Sequence, residues 1–155
     1  MRKPKWITAA IATAIHDEAI YEFGGLPGAR DRGLLESALD RPRNLLAYDE
    51  GSSLFRLAAV LCTGIAKNDP FNDGNKRTAL LATQDFLFLN GYALEPRQDD
   101  EVATLVAVAD GSLGEAALGS WLEANSTITG LNDHPQRAPR SAHQMHAAGP
   151  KITGQ

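Results

Sequence analysis

Residues 69–77 read DPFNDGNKR and bring a carboxylate pair, amides, a glycine and two cations together just ahead of a helical segment. Unpaired backbone N–H groups and the positive end of a helix dipole favour an anion at such a place. Gly74 permits close backbone approach, and Asn75, Lys76 and Arg77 add hydrogen bonds and charge, so the anion best matched to the set is a phosphate. Asp73 would repel a bare phosphate, but as an oxygen ligand it suits Mg²⁺ held between itself and a di- or triphosphate. Pro70 stiffens the loop and Phe71 anchors it in the core. A plainer reading stands beside this one: Asn-Asp and Asp-Gly are common turn pairs, and Lys-Arg after a turn is often a solvated helix start.

The loop needs a scaffold to aim it, and the pattern around it is helical. Leu54, Leu57, Ala58, Leu61 and Ile65 fall at helical spacing, with Phe55, Ala59 and Cys62 on the other side, so this helix is apolar all round and buried. A helix beginning near Thr78 has the same character, carrying Ala79, Ala82, Phe86 and Leu89 on one face and stopping at Asn90-Gly91. A polar loop between two buried helices emerges from the middle of a bundle, which is a good place for a site.

Before these helices, Ile11, Ile15 and Ala19 mark a stripe opened by the cap Thr8 and ended near Phe23 by the turn-rich residues 24–28. Asp31 caps a second helix carrying Leu35, Ala38 and Leu39, and Pro42 predicts its end at Arg41, with a connecting loop over residues 44–52. Val102, Leu105, Val106 and Ala109 mark a fifth helix. Ser112 with Glu115 makes a capping box for a sixth, carrying Leu118, Trp121 and Leu122. Strand signals are scarce. The expectation is an all-α bundle of about six helices over residues 1–125, with a mobile tail over residues 126–155.

A length of 155 residues suits one domain, and a formal charge of −4 argues against a general affinity for nucleic acid. The single cysteine, Cys62, forms no internal disulfide and reads as a buried structural residue. No apolar run reaches signal-peptide or membrane-spanning length, so the expected location is the cytoplasm. His16 reads as a surface or capped histidine, remote in sequence from Asp69. Arg30, Arg32, Arg41 and Arg43 read as solvated residues with a capacity to hold substrate or nucleotide. Trp6 and Trp121 read as packing residues, and His134, His143 and His146 as bystanders in the tail.

The loop resembles the signature of the Fic/Doc family, HxFx(D/N)(A/G)N followed by GR or KR, which Phe71, Asp73, Gly74, Asn75, Lys76 and Arg77 match. Residues 24–28 (GGLPG), 30–39 (RDRGLLESAL), Arg41-Pro42 and 86–92 (FLFLNGY) resemble the death-on-curing, or Doc, branch in particular. Lys76 and Leu80 stand where adenylyl-transferring members typically have a second Gly and a second Arg, so the resemblance implies the Doc form rather than protein adenylylation. It implies a toxin that transfers the γ-phosphate of ATP, with Mg²⁺, to a threonine of elongation factor Tu, neutralised by a Phd-like antitoxin. The self-inhibitory pattern (S/T)xxxE(G/N) of some Fic proteins is absent from the sequence, which points to control by a partner.

One position departs from the family. Asp69 stands where the family has the histidine that takes the hydroxyl proton. An aspartate receives the substrate proton in protein kinases, so a functional replacement has a chemical precedent. A carboxylate is nonetheless a weaker proton acceptor than an imidazole and sits on a shorter stem, so the expectation is reduced or abolished transfer. The alternative is a non-catalytic module that keeps the nucleotide pocket or the antitoxin groove.

Overall fold

A computed structural model describes residues 3–130. Within them lie six helices: α1 (Ala9–Phe23), α2 (Arg32–Tyr48), α3 (Leu54–Asn68), α4 (Asn75–Leu89), α5 (Gln98–Asp110) and α6 (Glu115–Ala124). The bundle is built around α3, whose residues Leu57, Ala58, Ala59 and Ile65 are fully buried, with α2, α4, α5 and α6 packed around it. This is the consequence of a helix with no polar face. Thr8, Asp31 and Ser53 cap α1, α2 and α3 through their side-chain oxygens, which accept from Ile11, Leu34 and Arg56 N–H.

The second helix does not stop before Pro42. It runs through to Tyr48 with the proline buried inside it, and the expected loop shortens to residues 49–53. Pro42 has no N–H, so the Ala38 carbonyl lacks its usual partner one turn on. At that level α3 presents Gly64, where an added Cβ would stand 3.1 Å from the Ala38 Cβ and 3.4 Å from its carbonyl oxygen. The two helices therefore touch almost backbone to backbone, and this packing holds α2 helical across the proline.

Other boundaries move for identifiable reasons. The first stripe is rotated: Ala12, Ile15, His16 and Ala19 face inward, while Ile11 is 38% exposed. The capping box at Ser112 and Glu115 does not form. Gly114 is the N-cap of α6, while Ser112 gives its N–H to Asp110 and its hydroxyl to the Ala107 carbonyl, closing the turn after α5. Two strands too short to show a period of their own, β1 (Tyr92–Leu94) and β2 (Ser126–Ile128), pair antiparallel, so chain order extends past residue 125. Thr129 N–H donates to the Gly91 carbonyl beyond them. The remainder of the expected tail, with His134, His143 and His146, lies outside the described residues.

Among the described residues no helix is long and apolar enough to cross a membrane. Trp6 stacks on Phe86 with 5.9 Å between ring centroids, as a packing residue should. Trp121 packs against the core and directs its indole N–H toward the Asp100 carboxylate at 3.4 Å.

Candidate functional site

The site is made by the turn from α3 into α4. Asp69 ends α3 in the left-handed region, φ 51° and ψ 56°, the one non-glycine residue with positive φ among those described. Aspartate tolerates that conformation better than most residues. Its neighbour Pro70 is buried, and its own side chain is exposed. Arg30 fixes the end of the helix: Nε donates to the Asp69 carbonyl at 2.7 Å and the terminal NH₂ group to the Asn68 carbonyl at 2.8 Å. Arg30 is thus a helix-end clamp rather than a solvated cation.

From there the chain folds over Phe71, which is 2% exposed. The Asn75 amide closes the loop on itself, accepting the Phe71 N–H at 2.9 Å and donating to the Phe71 carbonyl at 3.0 Å. Its side chain therefore shapes the loop from within. Gly74 then adopts φ 72° and begins α4 without a side-chain cap. The first N–H groups of α4 have no helical carbonyl behind them, and a glycine cap supplies no oxygen in its place. Helix α4 begins at Asn75, earlier than the Thr78 expected from apolar spacing, so Asn75, Lys76 and Arg77 form its first turn.

The charged groups surround this helix end. Asp73 uses both carboxylate oxygens, Oδ1 accepting the Gly74 N–H at 2.9 Å and Oδ2 the Leu26 N–H at 3.1 Å. Each oxygen retains a lone pair, and the side chain is exposed, so Asp73 fits a metal as a single ligand. Among the described residues no three His, Cys, Asp or Glu side chains group to hold a metal by themselves. Lys76 is exposed. The Arg77 guanidinium lies 3.8 Å over the Phe23 ring, reaching from α4 to α1. Burial lowers the Arg77 pKa from its ordinary value, with Glu101 of α5 and Glu22 of α1 acting in the opposite direction.

Residues 24–31 form a strap along the loop. The Arg30 and Asp31 N–H groups both donate to the Pro70 carbonyl, the Asn72 N–H donates to the Gly28 carbonyl, and Asn72 Nδ2 donates to the Pro27 carbonyl. Ala29 and Phe71 thereby form an antiparallel bridge. GGLPG and DPFNDGNKR, more than 40 residues apart in sequence, are thus joined in one structure.

His16 corrects the sequence reading most. It is fully buried, its Nε2 stands 2.8 Å from the Asp73 carbonyl oxygen, and its ring stacks on Phe71 at 3.9 Å between centroids and 6° between planes. Its signal was the spacing Ala12, Ile15, His16, Ala19, an inward face as regular as the one through Ile11. Arg41 and Arg43 lie elsewhere, pairing with Glu115 at 2.7 Å and standing over Trp6 at 5.6 Å.

A helical bundle that presents an uncapped helix end behind this loop is a defined class of protein, and comparison identifies it. Residues 6–87 match the model of the Fic/DOC family, and the chain belongs to that family. It is 36% identical over 110 residues to the protein kinase doc of Escherichia phage P1, covering 70% of this chain and 86% of that protein. It is 42% identical over 73 residues to the toxin Doc of Mycolicibacterium smegmatis, covering 46% of this chain and 56% of that protein.

Proposed function

We propose that this chain is a Doc-like toxin whose site binds the phosphates of ATP and directs the γ-phosphate to a protein hydroxyl. The observation that carries the reading is the start of α4: a left-handed Gly74 with no side-chain cap, flanked by Asp73, Lys76 and Arg77. The names of the two relatives, a protein kinase and a toxin, support the same assignment.

In this reading the first N–H groups of α4 bind phosphate oxygens, and Lys76 and Arg77 supply charge. Asp73 would hold Mg²⁺, which would supply positive charge to offset that of the phosphates. Asp69 occupies the position that receives the proton of the attacking hydroxyl. The hydroxyl oxygen forms a bond to the γ-phosphorus as the bond to the β-phosphate bridging oxygen breaks, and ADP leaves. The target is a threonine of elongation factor Tu, and the neutralising partner is a Phd-like antitoxin.

Asp69 lowers the rate. Its carboxylate is shorter than an imidazole, and Arg30 holds the backbone on both sides of it, so the chain does not shift easily to restore reach. A displacement of roughly 1 Å is worth on the order of a hundredfold in rate. The same observation favours the second reading, a non-catalytic module that binds nucleotide or antitoxin.

Transfer of label from γ-labelled ATP with Mg²⁺ to purified elongation factor Tu, with the native chain and Asp69→His side by side, tests this. Weak labelling by the native chain and strong labelling by the variant is the expected result. Nucleotide binding without transfer by either protein establishes the binding module. Transfer of label from the α-phosphate instead establishes an adenylyltransferase.

A further inference from the structure

A buried histidine with one unused nitrogen needs an explanation. His16 Nδ1 is buried with no hydrogen-bond partner, its nearest acidic oxygen, Asp17 Oδ1, being 4.0 Å away. An apolar ring would stack on Phe71 without that desolvation penalty. What the imidazole adds is a single donor. A carbonyl oxygen only accepts, so Nε2 carries the proton and donates it to the Asp73 carbonyl at 2.8 Å.

That bond acts on the peptide joining Asp73 to Gly74. Its carbonyl is held by His16 and its N–H by Asp73 Oδ1 at 2.9 Å, so the plane is fixed from both sides. The rotation of this plane sets the left-handed Gly74, hence the direction of the first N–H groups of α4, and also the placement of the Asp73 carboxylate. The His16 ring itself is close to Gly74: a Cβ there would stand 3.9 Å from Nε2.

We infer that His16 is a positioning residue for the phosphate-binding end of α4, holding the Asp73–Gly74 peptide so that the α4 N–H groups and the Asp73 carboxylate face one ligand. The inference rests on the nucleotide reading above for its ligand, but not for its geometry. His16 acts through the peptide and touches neither substrate nor metal.

Three variants separate the donor from the ring. His16→Phe keeps an aromatic ring on Phe71 and removes the donor, at the cost of a slightly larger ring, whereas His16→Gln places an amide nitrogen at the reach of Nε2 and His16→Asn falls short of it. Melting temperature, Mg²⁺-dependent ATP affinity by titration calorimetry, and the Gly74 and Asn75 amide resonances of the ligand-free protein are measured for each. The expected result is a folded His16→Phe that binds Mg²⁺-ATP roughly tenfold more weakly, with His16→Gln within about threefold of the native chain. Native affinity in a folded His16→Phe overturns the inference.

If His16→Phe does not fold, the same comparison between His16→Gln and His16→Asn decides, equal affinity overturning it. If the native chain binds no nucleotide, the nucleotide reading fails and the amide resonances decide alone. Resonances displaced in His16→Phe and restored in His16→Gln sustain the positioning role, and resonances unmoved in both end it.

Discussion

Leu26 and Asp73 are 47 residues apart in sequence, yet the Leu26 backbone N–H donates to Asp73 Oδ2 at 3.1 Å. The carboxylate proposed above to hold Mg²⁺ thus also fastens the strap over residues 24–31 to the loop between α3 and α4. Further bonds of the strap run from Asn72, to Pro70, and from the Arg30 side chain to Asn68 and Asp69, so the two segments are ordered together.

Gly25→Ala should break this fastening. The backbone at Gly25 has φ 121°, and an added Cβ would stand 2.9 Å from Asp73 Oδ2 and 3.0 Å from Ile20 Cδ1. A non-glycine residue in that conformation costs on the order of 1–3 kcal/mol, and here it also displaces the carboxylate. Urea denaturation should show a loss in that range, and limited proteolysis should cut first within residues 24–31. Gly24→Ala is the control: its Cβ meets nothing within 4 Å, although its φ of 85° is also positive. It should lose stability without weakening Mg²⁺-ATP binding.

The loop and its two buried helices were legible in the sequence because the signals there are local. Apolar residues all round residues 54–66 mean a buried helix, and DPFNDGNKR marks a break at its end. What was not legible depends on residues distant in sequence. Pro42 has a definite local meaning, the end of a helix, which is overridden because Gly64 lets α3 close against Ala38. His16 was misplaced because Ile11 drew the first stripe one residue too far round, although alanine at positions 12 and 19 serves the core equally well. No local pattern reports that Arg30 reaches the carbonyls of Asn68 and Asp69, since that contact exists only once the strap lies on the loop. The ribbon of β1 with β2 was missed for a different reason: three-residue strands carry too little alternation to be read.

The closeness of α2 and α3 gives a second prediction. Gly64→Ala places a Cβ 3.1 Å from the Ala38 Cβ and 3.2 Å from its Cα, and the backbone of α2 cannot yield as a side-chain tip would. Overpacking of this kind costs typically about 1–3 kcal/mol, more than the helix-propensity gain of about 1 kcal/mol from replacing a helical glycine. The net effect should be a lower denaturation midpoint. Ala38→Gly in the same chain should recover part of it, because the nearest clashing atom is then gone.

Cys62 supplies a pH dependence with a defined sign. Burial raises its thiol pKa from 9.0 to about 11, with a hydrogen bond involving Thr83 pulling the other way. In the unfolded chain the thiol ionises near its ordinary value, whereas in the fold it stays protonated. The unfolded state therefore binds fewer protons between those two values. The stabilisation is fully present below pH 9 and is lost as pH rises towards about 11. The slope should approach about 1.4 kcal/mol per pH unit within that window. Cys62→Ala should remove this component, so the difference in stability between the two proteins should narrow across it. Iodoacetamide should label Cys62 at pH 8 only as fast as the protein opens.

The strap contact of Asp73 and its proposed metal binding can be separated by substitution. Asp73→Asn leaves one acceptor oxygen where the carboxylate offers two, so either the Gly74 or the Leu26 N–H loses its partner. For exposed groups this should cost about 1 kcal/mol, a small fall in melting temperature. The amide also lacks the charge that a divalent cation requires, so the increment in ATP affinity produced by Mg²⁺ should disappear. Gly24→Ala strains the same strap but leaves the carboxylate where it is, and should keep that increment while also losing stability. Calorimetric titration of both variants with ATP, with and without Mg²⁺, compares the two effects directly. An undiminished Mg²⁺ increment in Asp73→Asn would mean that Asp73 serves the strap alone and that the cation is held by other oxygens. Loss of the increment in both variants would mean that metal binding requires the strap to be in place.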